Sequence, residues 1–307
     1  MDEKLIAALR RIGEVRLDEP LSRHTTFGIG GPADAFVTVD SARRLRRLVA
    51  LCHRHDTPLF ILGAGSNILV GELGIRGVTA ENRARQVQGP KASSNGRSVF
   101  RIESGMPLAK LARDLSAKGF SGLEWAGGIP GTIGGAVVYN AGAYECSLAD
   151  VLKRVGMVDA RGRGHILSAA DLGLGYRESA FTRRLFAGQV ILWAEIGLFP
   201  GDPDDLVRQM REFDRSRSES QPRGRSAGSI FKNTREYPAW WLIDQVGLRG
   251  YRIGDAEISE KHPNFILNVG KARASDVKAL MELAQERVLA EFAVKLQPEV
   301  ALVGEGF

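Results

Sequence analysis

A serine, an arginine and a glutamate have neighbours that suit acid–base and electrostatic chemistry. In "RSAGSIFKN", residues 225–233, Ser229 has Lys232 three positions behind it. A serine hydroxyl can be a turn residue, a nucleophile or a source of protons, and a nearby cation favours the alkoxide that proton loss leaves. Arg177 in "GYRES" offers a planar fork for a carboxylate, and Glu299 in "QPEVAL" offers a carboxyl group. By themselves these residues favour a turn serine and two surface charges, and they leave the chemistry open.

The standard motifs of nucleophilic and nucleotide-binding enzymes are missing. Ser229 has Ala227 and Phe231 two positions before and after it, so it is not the serine of a nucleophile elbow. "GAGSNI" has Ile68 where a dinucleotide fingerprint needs its third glycine. Gly270-Lys271 is followed by alanine, which excludes a P-loop. Any nucleotide-binding site must therefore be built in another way.

Glycine is the outstanding feature of the composition, because its 36 residues concentrate in three stretches. These are "TTFGIGGPAD" (25–34), "LGAGSNILV" (62–70) and "GLEWAGGIPGTIGGAVVYNAGAY" (122–144). Small residues directly after the strand-like "FIL" can form a nest of amides for a pyrophosphate, although a tight turn explains them equally well. The longer third run favours a flat ring and its phosphates lying against the main chain. Together the stretches predict a large binding site lined by backbone.

Alternating strand and helix patterns position these stretches. The sequence predicts strands at 33–39 and 58–63, and amphipathic helices at 41–55 and 106–119. The residues predicted to face inward are Leu45, Leu48, Val49 and Cys52 in the first helix and Leu108, Leu111 and Leu115 in the second. A break rich in proline and aspartate indicates a domain boundary near residue 200. Beyond it the predicted elements are helices at 204–218, at 238–246 and at 275–293 capped by Ser275, and strands at 256–259, 264–269 and 298–304. The class is α+β or mixed α/β.

Composition indicates a globular protein with a basic surface. The 307 residues suffice for two or three domains, and 44% hydrophobic with 25% charged residues is ordinary for such a chain. The net charge of +6 owes much to the arginine-dense helix at 41–55, which lacks the interleaved aromatic residues of a nucleic-acid stripe. We interpret it as a solvated face, and mild basicity also suits an anionic small-molecule substrate.

Neither export nor a membrane anchor is indicated. The amino-terminal stretch lacks the apolar core of a signal peptide, and no apolar run approaches the roughly 20 residues that span a bilayer. Cys52 and Cys146 lie far apart in unremarkable segments, so they predict neither a disulfide framework nor a zinc site. We expect a cytoplasmic protein.

Six motifs in this order and spacing resemble the UDP-N-acetylenolpyruvoylglucosamine reductases (MurB), flavoenzymes of bacterial peptidoglycan precursor synthesis. They are the three glycine stretches, "GYRESAF", "SAGSIFKN" and "AEISEKHPNFILN", and the resemblance runs from about residue 21 to 304. It implies an α+β fold: a two-subdomain FAD-binding part of the vanillyl-alcohol-oxidase type, plus a C-terminal α+β substrate-binding domain. The implied domains are 1–78 joined by the C-terminal strand 296–307, then 79–200, then 201–295. The compact length resembles the shorter class that lacks an extra tyrosine loop.

The resemblance also implies a reaction and its partners. NADPH reduces non-covalently bound FAD, which then passes hydride to the enolpyruvyl double bond of UDP-GlcNAc-enolpyruvate, giving UDP-N-acetylmuramate. Negative charge develops at the neighbouring carbon and spreads into the carboxylate, so something must stabilise that charge and something must supply a proton. We expect a monomer with these small-molecule partners, and neither nucleic acid nor membrane.

Catalytic and binding residues are carried over by position. Ser229 is implied as the general acid to carbon, Arg177 as the partner of the charged carboxylate, and Glu299 as the third catalytic group. Since a bare carboxylate would repel a developing dianion, we expect Glu299 to be protonated or water-bridged when hydride moves. The implied substrate-binding residues are Tyr176, Lys232, Asn233, His262 and Asn264, and no metal is implied. The implied cofactor-binding residues are Gly63, Ala64, Gly65, Ser66, Asn67, Gly127, Gly128, Ile129, Pro130, Gly131, Thr132, Gly134, Gly135 and Asn140.

Four positions depart from the common family pattern, and two other functions stay open. Glu145 stands where glycine is usual, Ser147 where an acidic residue is usual, and Arg225 and Thr234 where proline is common. None removes a catalytic group. The alternatives are another FAD-dependent oxidoreductase on the same scaffold, such as an alcohol or sugar-acid oxidase, and a nucleotide-sugar-binding or nucleic-acid-binding protein without chemistry.

Overall fold

The structure is a computed structural model that describes residues 1–92 and 96–307. Its helices are α1 (Glu3–Arg10), α2 (Ala42–Arg54), α3 (Leu108–Ser116), α4 (Ile133–Tyr139), α5 (Pro203–Ser220), α6 (Ala239–Gln245) and α7 (Ala274–Phe292). No helix among these described residues is both long and apolar enough to cross a membrane.

The strands are short, apart from β13. They are β1 (Glu14–Pro20), β2 (Pro32–Val39), β3 (Leu59–Leu62), β4 (Ile68–Val70), β5 (Ile75–Asn82), β6 (Val87–Ala92), β7 (Ser98–Glu103), β8 (Phe120–Ser121), β9 (Gly142–Ala143), β10 (Cys146–Ser147), β11 (Leu152–Val158), β12 (Gly164–Ser168), β13 (Val190–Pro200), β14 (Arg252–Ile253), β15 (Ala256–Ile258), β16 (Ile266–Asn268) and β17 (Ala301–Val303). Each strand predicted from the sequence is present, although β3, β15, β16 and β17 are shorter than predicted.

Helix α2 forms where the apolar period predicts it. Ser41 caps its amino end by accepting a hydrogen bond from the Arg44 backbone N–H. The predicted inner face, Leu45, Leu48, Val49 and Cys52, is buried, and the arginines lie on the other side. Helix α3 likewise buries its predicted leucines. Periodicity alone was sufficient for these two helices because their apolar stripes are wide and regular.

Helix α7 begins one residue earlier than predicted, and Ser275 is not its cap. The cap position is Arg273, whose backbone N–H donates to the Asp276 carboxylate at 2.9 Å. The Ser275 backbone N–H and hydroxyl both donate to Glu72 Oε1 at 2.9 Å. Ser275 therefore connects the first turn of α7 to the loop that carries Glu72. Its hydroxyl does not cap the helix, because it donates its hydrogen bond to the Glu72 carboxylate.

The sheets are mostly antiparallel. One has the order β1-β2-β5-β3, with β3 parallel to β5, and the largest has the order β12-β11-β13-β7-β6, with β8 also paired to β13. Strands β14, β15 and β16 form a small antiparallel sheet, and β9 pairs with β10. The final strand, β17, runs parallel to β4, with Ala301 opposite Ile68.

The chain divides into two compact units. Unit 1 consists of Met1–Arg16, Ala35–Gly63 and Gly77–Arg217, and unit 2 of Leu17–Asp34, Ala64–Arg76 and Ser218–Phe307. Unit 1 has two cores, one around α1 and α2 and one around α3, α4 and the largest sheet, to which α5 contributes Met210. Unit 2 has a core built on α6, α7 and the small sheet. The division into 1–78, 79–200 and 201–295 stays a prediction.

Candidate active site

In unit 2, Ser229 lies on an extended segment fixed by its neighbours. Ser229 forms an antiparallel bridge with Phe265, and the Ile230 backbone N–H donates to the Asn264 carbonyl at 2.9 Å. Ile230 and Phe231 are only 1% and 2% exposed, so the segment is anchored in the core. Ser229 itself is half-buried. The apolar pair noted in the sequence therefore anchors the segment that holds the serine in place.

The other side of this segment pairs with the chain that carries Glu299. The Glu299 backbone N–H donates to the Ile230 carbonyl at 2.8 Å, and the Lys232 backbone N–H donates to the Gln297 carbonyl at 2.9 Å. Ser229, Lys232 and Glu299, three of the predicted site residues, thus lie on adjacent segments of unit 2. The half-buried Glu299 side chain belongs to this arrangement and not to an exposed edge strand.

The Asn264 side chain forms hydrogen bonds to the segment that carries Ser229. Its side chain, in a residue 3% exposed, accepts from the Phe231 N–H at 2.9 Å and donates to the Phe231 carbonyl at 2.8 Å. Both ends of the carboxamide are thereby engaged by backbone. This geometry fixes the chain between Ser229 and Lys232, and it is a different use from the predicted substrate contact, which stays a prediction.

The predicted cofactor loop 63–67 is joined to both segments through residues of unit 2. The Asn67 side chain donates to the Glu299 carbonyl at 3.1 Å, and its own carbonyl accepts from Ala301. Thr26 connects the loop to the serine segment, since its backbone N–H donates to Gly65 O at 3.0 Å and its hydroxyl donates to Ser226 O at 2.7 Å. Sequence reasoning missed Thr26, whose only signal was its place before a glycine cluster.

His262 and Asn233 flank these segments. The His262 ring packs edge-on against Phe265, with centroids 4.9 Å apart, and its buried Nδ1 has no hydrogen-bond partner among the described residues. Burial lowers the pKa of His262, and Arg249 acts in the same direction. Asn233 is exposed, and its side-chain oxygen accepts from the Ala239 N–H at the start of α6.

In unit 1, the two glycine loops predicted to hold the cofactor touch each other. A Cβ added to Gly63 would lie 2.8 Å from Thr132 Oγ1, so only glycine permits this approach. Thr132 caps α4 by accepting from the Gly135 N–H at 3.3 Å. The Gly63 main chain thus lies directly against the Thr132 side chain at the start of α4, so the two predicted cofactor segments meet at this point. Of the other predicted cofactor residues of 127–135, Ile129, Pro130 and Gly131 lie on the loop before α4, and Gly134 lies in the first turn of α4.

Two glycines of the third stretch, Gly127 and Gly128, also have a packing role that the sequence did not indicate. A Cβ on Gly127 would lie 2.5 Å from the Met210 methyl group, and one on Gly128 would lie 2.8 Å from Asp214 Oδ1 and 3.0 Å from Arg217 Cδ. Helix α5 therefore packs on these two glycines. Their smallness serves contact between helix and loop, a requirement that is invisible in the sequence because the partners lie about 80 positions away.

Arg177 occupies a strained turn of unit 1. The Gly175 and Glu178 backbones exchange hydrogen bonds of 3.0 and 3.3 Å across the turn. Arg177 is the third residue of this turn and has φ +52°, a left-handed backbone conformation that residues other than glycine and asparagine rarely adopt. Its guanidinium lies 5.6 Å from the centre of the Tyr176 ring, which is 57% exposed. Left-handed residues other than glycine concentrate at functional sites, where the surroundings stabilise them.

Asn140 connects helix α4 to that turn. It ends the helix in a left-handed conformation, with φ +41°. Its side-chain amide donates to the Gly175 carbonyl at 2.9 Å, and its side-chain oxygen accepts from the Ala149 N–H at 3.0 Å. The residue is 6% exposed, so both bonds are shielded from water.

A second arginine of this region, Arg217, was missed by sequence reasoning. Burial lowers its pKa, and the nearby positive charge of Arg177 acts in the same direction, while Tyr144 and Asp214 oppose it. The Tyr144 ring stacks on Phe213 of α5, with centroids 4.4 Å apart. The sequence offered no signal, since Arg217 is one of several arginines in a charged helix.

The structure gives the backbone conformation or the hydrogen bonds at each of the four positions that depart from the family pattern. Glu145 has φ +63°, which explains why glycine is usual there. Ser147 begins a short turn whose Asp150 accepts the Ser147 N–H at 2.7 Å. The Thr234 hydroxyl exchanges hydrogen bonds with Tyr237. The Arg225 carbonyl accepts from the Asn268 N–H at 2.9 Å.

Comparisons with known proteins agree with this geometry. Residues 220–303 match the family described as "UDP-N-acetylenolpyruvoylglucosamine reductase, C-terminal domain", and residues 33–168 match the family described as "FAD binding domain". The UDP-N-acetylenolpyruvoylglucosamine reductase of Synechococcus sp. is 41% identical over 96% of this chain and 93% of its own length. That of Caldanaerobacter subterraneus is 39% identical over 99% of this chain and all of its own length.

A solved structure extends the similarity to three dimensions. The chain is 34% identical to the UDP-N-acetylenolpyruvylglucosamine reductase (MurB) of Thermus caldophilus, with a TM-score of 0.78 over 95% of this chain and 99% of that one. The predicted fold, an FAD-binding part followed by a C-terminal α+β domain, is confirmed by this similarity and by the FAD-binding match. The chain therefore belongs to the UDP-N-acetylenolpyruvoylglucosamine reductase family.

Proposed function

We propose that this protein reduces UDP-N-acetylglucosamine enolpyruvate to UDP-N-acetylmuramate in peptidoglycan precursor synthesis, with NADPH as reductant and Ser229, Arg177 and Glu299 as its catalytic residues. FAD, which residues 63–67, 127–135 and Asn140 would hold, would supply the redox chemistry that connects NADPH to the substrate. The observation that carries the residue assignment is the 2.8 Å bond from the Glu299 N–H to the Ile230 carbonyl, because it joins the segments of two of the three residues.

Ser229 is the proposed proton donor to carbon. A free serine hydroxyl is a very weak acid, so it serves only where cations and oriented dipoles favour the alkoxide. Lys232 lies on the same core-anchored segment. Fixing this segment on both sides supports the proposal, since a proton donor must be held within hydrogen-bond distance of its acceptor.

Arg177 is the proposed partner of the substrate carboxylate. A guanidinium binds a carboxylate through two parallel hydrogen bonds and keeps its charge at every relevant pH. It would therefore stabilise the charge that spreads into the carboxylate as hydride arrives. The left-handed backbone at this position supports the assignment, because such strain is retained where function requires it.

Glu299 is the proposed third group, protonated or bridged by water when hydride moves. The predicted binding roles of Tyr176, Lys232, Asn233, His262 and Asn264 belong to the same proposal, as do the cofactor contacts of loops 63–67 and 127–135 and Asn140. If Glu299 takes part in proton transfer, Glu299→Gln lowers the turnover number and changes its pH profile. A Glu299→Gln profile that matches wild type in height and shape would remove it from the mechanism.

An anaerobic absorbance experiment tests the activity. The FAD-loaded protein should be yellow, lose its colour with NADPH, and recover it when UDP-N-acetylglucosamine enolpyruvate is added. A colourless protein that gains no flavin spectrum after reconstitution would instead indicate a binding protein without redox chemistry. Steady oxygen consumption with an alcohol, and no recolouring by the enolpyruvyl substrate, would indicate an oxidase on the same scaffold.

We further propose that the protein works as a monomer in the cytoplasm. The proposed substrate and reductant are both soluble nucleotides, and mild basicity suits them. Sedimentation at the mass of one chain, unchanged over a hundredfold range of concentration, is the expected result. A concentration-dependent increase in mass would contradict it.

A further inference from the structure

We propose that Asn140 is a positioning residue for Arg177, acting through the carbonyl of Gly175. The inference rests on the proposed role of Arg177 and adds a residue for which the expected role was cofactor binding. Three observations of unit 1 carry it: the bonds of the Asn140 carboxamide, the burial of those bonds, and the strained backbone of the turn that receives them.

The carboxamide connects two backbone segments. Its N–H donates to the Gly175 carbonyl at 2.9 Å and its oxygen accepts from the Ala149 N–H at 3.0 Å. Gly175 opens the turn whose third residue is Arg177. The end of α4, the start of the 149 segment and the arginine turn are thus joined at one side chain.

The turn needs such support. Arg177 has φ +52°, and a left-handed backbone is strained for a residue with a Cβ but not for glycine. The Gly175 carbonyl also accepts the Glu178 N–H at 3.3 Å, a long bond for a turn. The hydrogen bond from the Asn140 amide is the shorter of the two bonds to that oxygen. It therefore orients the Gly175 carbonyl, which precedes the Tyr176-Arg177 peptide.

Asparagine suits this position for two reasons that act together. It tolerates the left-handed conformation that ends α4, as few other side chains do. It also supplies one donor and one acceptor in fixed geometry, and Asn140 uses both where the residue is only 6% exposed. A helix cap alone would need only the first property, and glycine would then serve as well.

The test is a double-mutant cycle in the FAD-saturated full-length protein. Asn140→Asp keeps the size, the left-handed tolerance and the acceptor for Ala149, and it replaces the donor to Gly175 with a carboxylate oxygen. We expect reoxidation of the NADPH-reduced flavin by UDP-N-acetylglucosamine enolpyruvate to slow by about 5- to 30-fold. In an Arg177→Ala background the same substitution should change reoxidation by less than about twofold.

Two further variants keep the test decisive. Asn140→Gly introduces no charge and keeps the backbone conformation, so it replaces Asn140→Asp if the buried carboxylate prevents folding or pairs with Arg177. Asn82→Asp is the matched control, since Asn82 is also 6% exposed in unit 1 and bonds Ser104 and Ala84 instead. Whatever its size, its effect should be the same in both backgrounds.

Each outcome has one meaning. If the effect of the Asn140 substitution is equally large with and without Arg177, Asn140 does not act through the arginine and the inference is wrong. If Arg177→Ala itself stays within about twofold of wild type, the proposed role of Arg177 fails instead. Non-additivity confined to the Asn140 pair supports the inference.

Discussion

The segment that carries Ser229 in unit 2 and the turn that carries Arg177 in unit 1 are positioned by different means. The serine segment has paired chains on both sides, and Ile230 and Phe231 fix it in the core. The arginine turn is closed by hydrogen bonds between the Gly175 and Glu178 backbones, holds Arg177 at φ +52°, and has an exposed Tyr176. Burial and strand pairing hold the serine segment. The arginine turn has a strained backbone, and the Asn140 carboxamide forms a hydrogen bond to it.

This difference teaches where stability and activity are coupled. Around Ser229, the groups that position the site also hold the core of unit 2, so weakening them unfolds that unit. Around Arg177 the backbone is strained in order to place the arginine. A substitution that relieves this strain should therefore raise the stability of the protein and lower its activity. Four substitutions test the contrast, from the largest expected effect to the smallest.

Ser229→Ala should separate chemistry from folding. Alanine keeps the backbone bridge to Phe265, so stability should stay within about 0.5 kcal/mol, while turnover of the enolpyruvyl substrate falls by about 10²- to 10⁴-fold because the general acid is lost. Stopped-flow absorbance should still show bleaching by NADPH, without recolouring. Near-normal turnover would end the assignment of Ser229 as proton donor.

Asn264→Ala should destabilise the protein by about 2 to 4 kcal/mol, because it leaves the buried N–H and carbonyl of Phe231 without their side-chain partner. Asn233→Ala is the matched control on the exposed side, where losing the bond to Ala239 should cost about 1 kcal/mol. Denaturant unfolding measures both. Equal costs would show that burial does not distinguish the two asparagines.

Arg177→Gly should make the folded protein more stable by about 1 kcal/mol, since glycine adopts the left-handed conformation without strain, while turnover falls by about 10²- to 10³-fold. Arg184→Gly is the control, because exposed Arg184 has φ +58° and lies outside the proposed site. It should give a similar gain with turnover within about twofold of wild type. Destabilisation by Arg177→Gly would contradict the strain argument.

His262→Gln should remove a small pH-dependent part of the stability. Burial lowers the pKa of His262 below its ordinary 6.5, so below that pH the unfolded chain binds a proton that the folded chain resists. The free energy of unfolding should therefore fall as pH drops through 6.5, and this contribution is fully present above it. The variant should show a shallower fall between pH 7 and 5. Parallel curves for the two proteins would contradict the prediction.

The sequence predicted local elements well where a single periodic face decides them. Helix α2 buries Leu45 and its partners as the spacing requires, and strand β2 occupies the predicted residues. The cap of α7 was wrong because Glu72, about 200 positions away, binds Ser275. The motifs also located the serine and arginine segments, although each residue by itself favoured an ordinary interpretation.

The uses of the asparagines could not be predicted. Asn67, Asn140 and Asn264 each lie in a motif that suggested ligand contact. Each side chain instead forms a hydrogen bond to the backbone at or near one of the three predicted catalytic residues. A carboxamide binds a ligand or a peptide group with the same donor and acceptor, so sequence does not separate these uses. The partner of Asn67 lies 232 positions away, and only folding brings it near.

The order of residues by itself determined the family, the helix faces and the glycine loops, because these depend on local spacing and on side chains that are present or missing at fixed positions. Only the tertiary structure decided that the chains carrying Ser229 and Glu299 are neighbours, that Gly127 and Gly128 make room for α5, and that Asn140 supports the turn of Arg177. The physical reason is that hydrogen bonds and close packing join groups distant along the chain, and their partners are fixed only when the whole core forms.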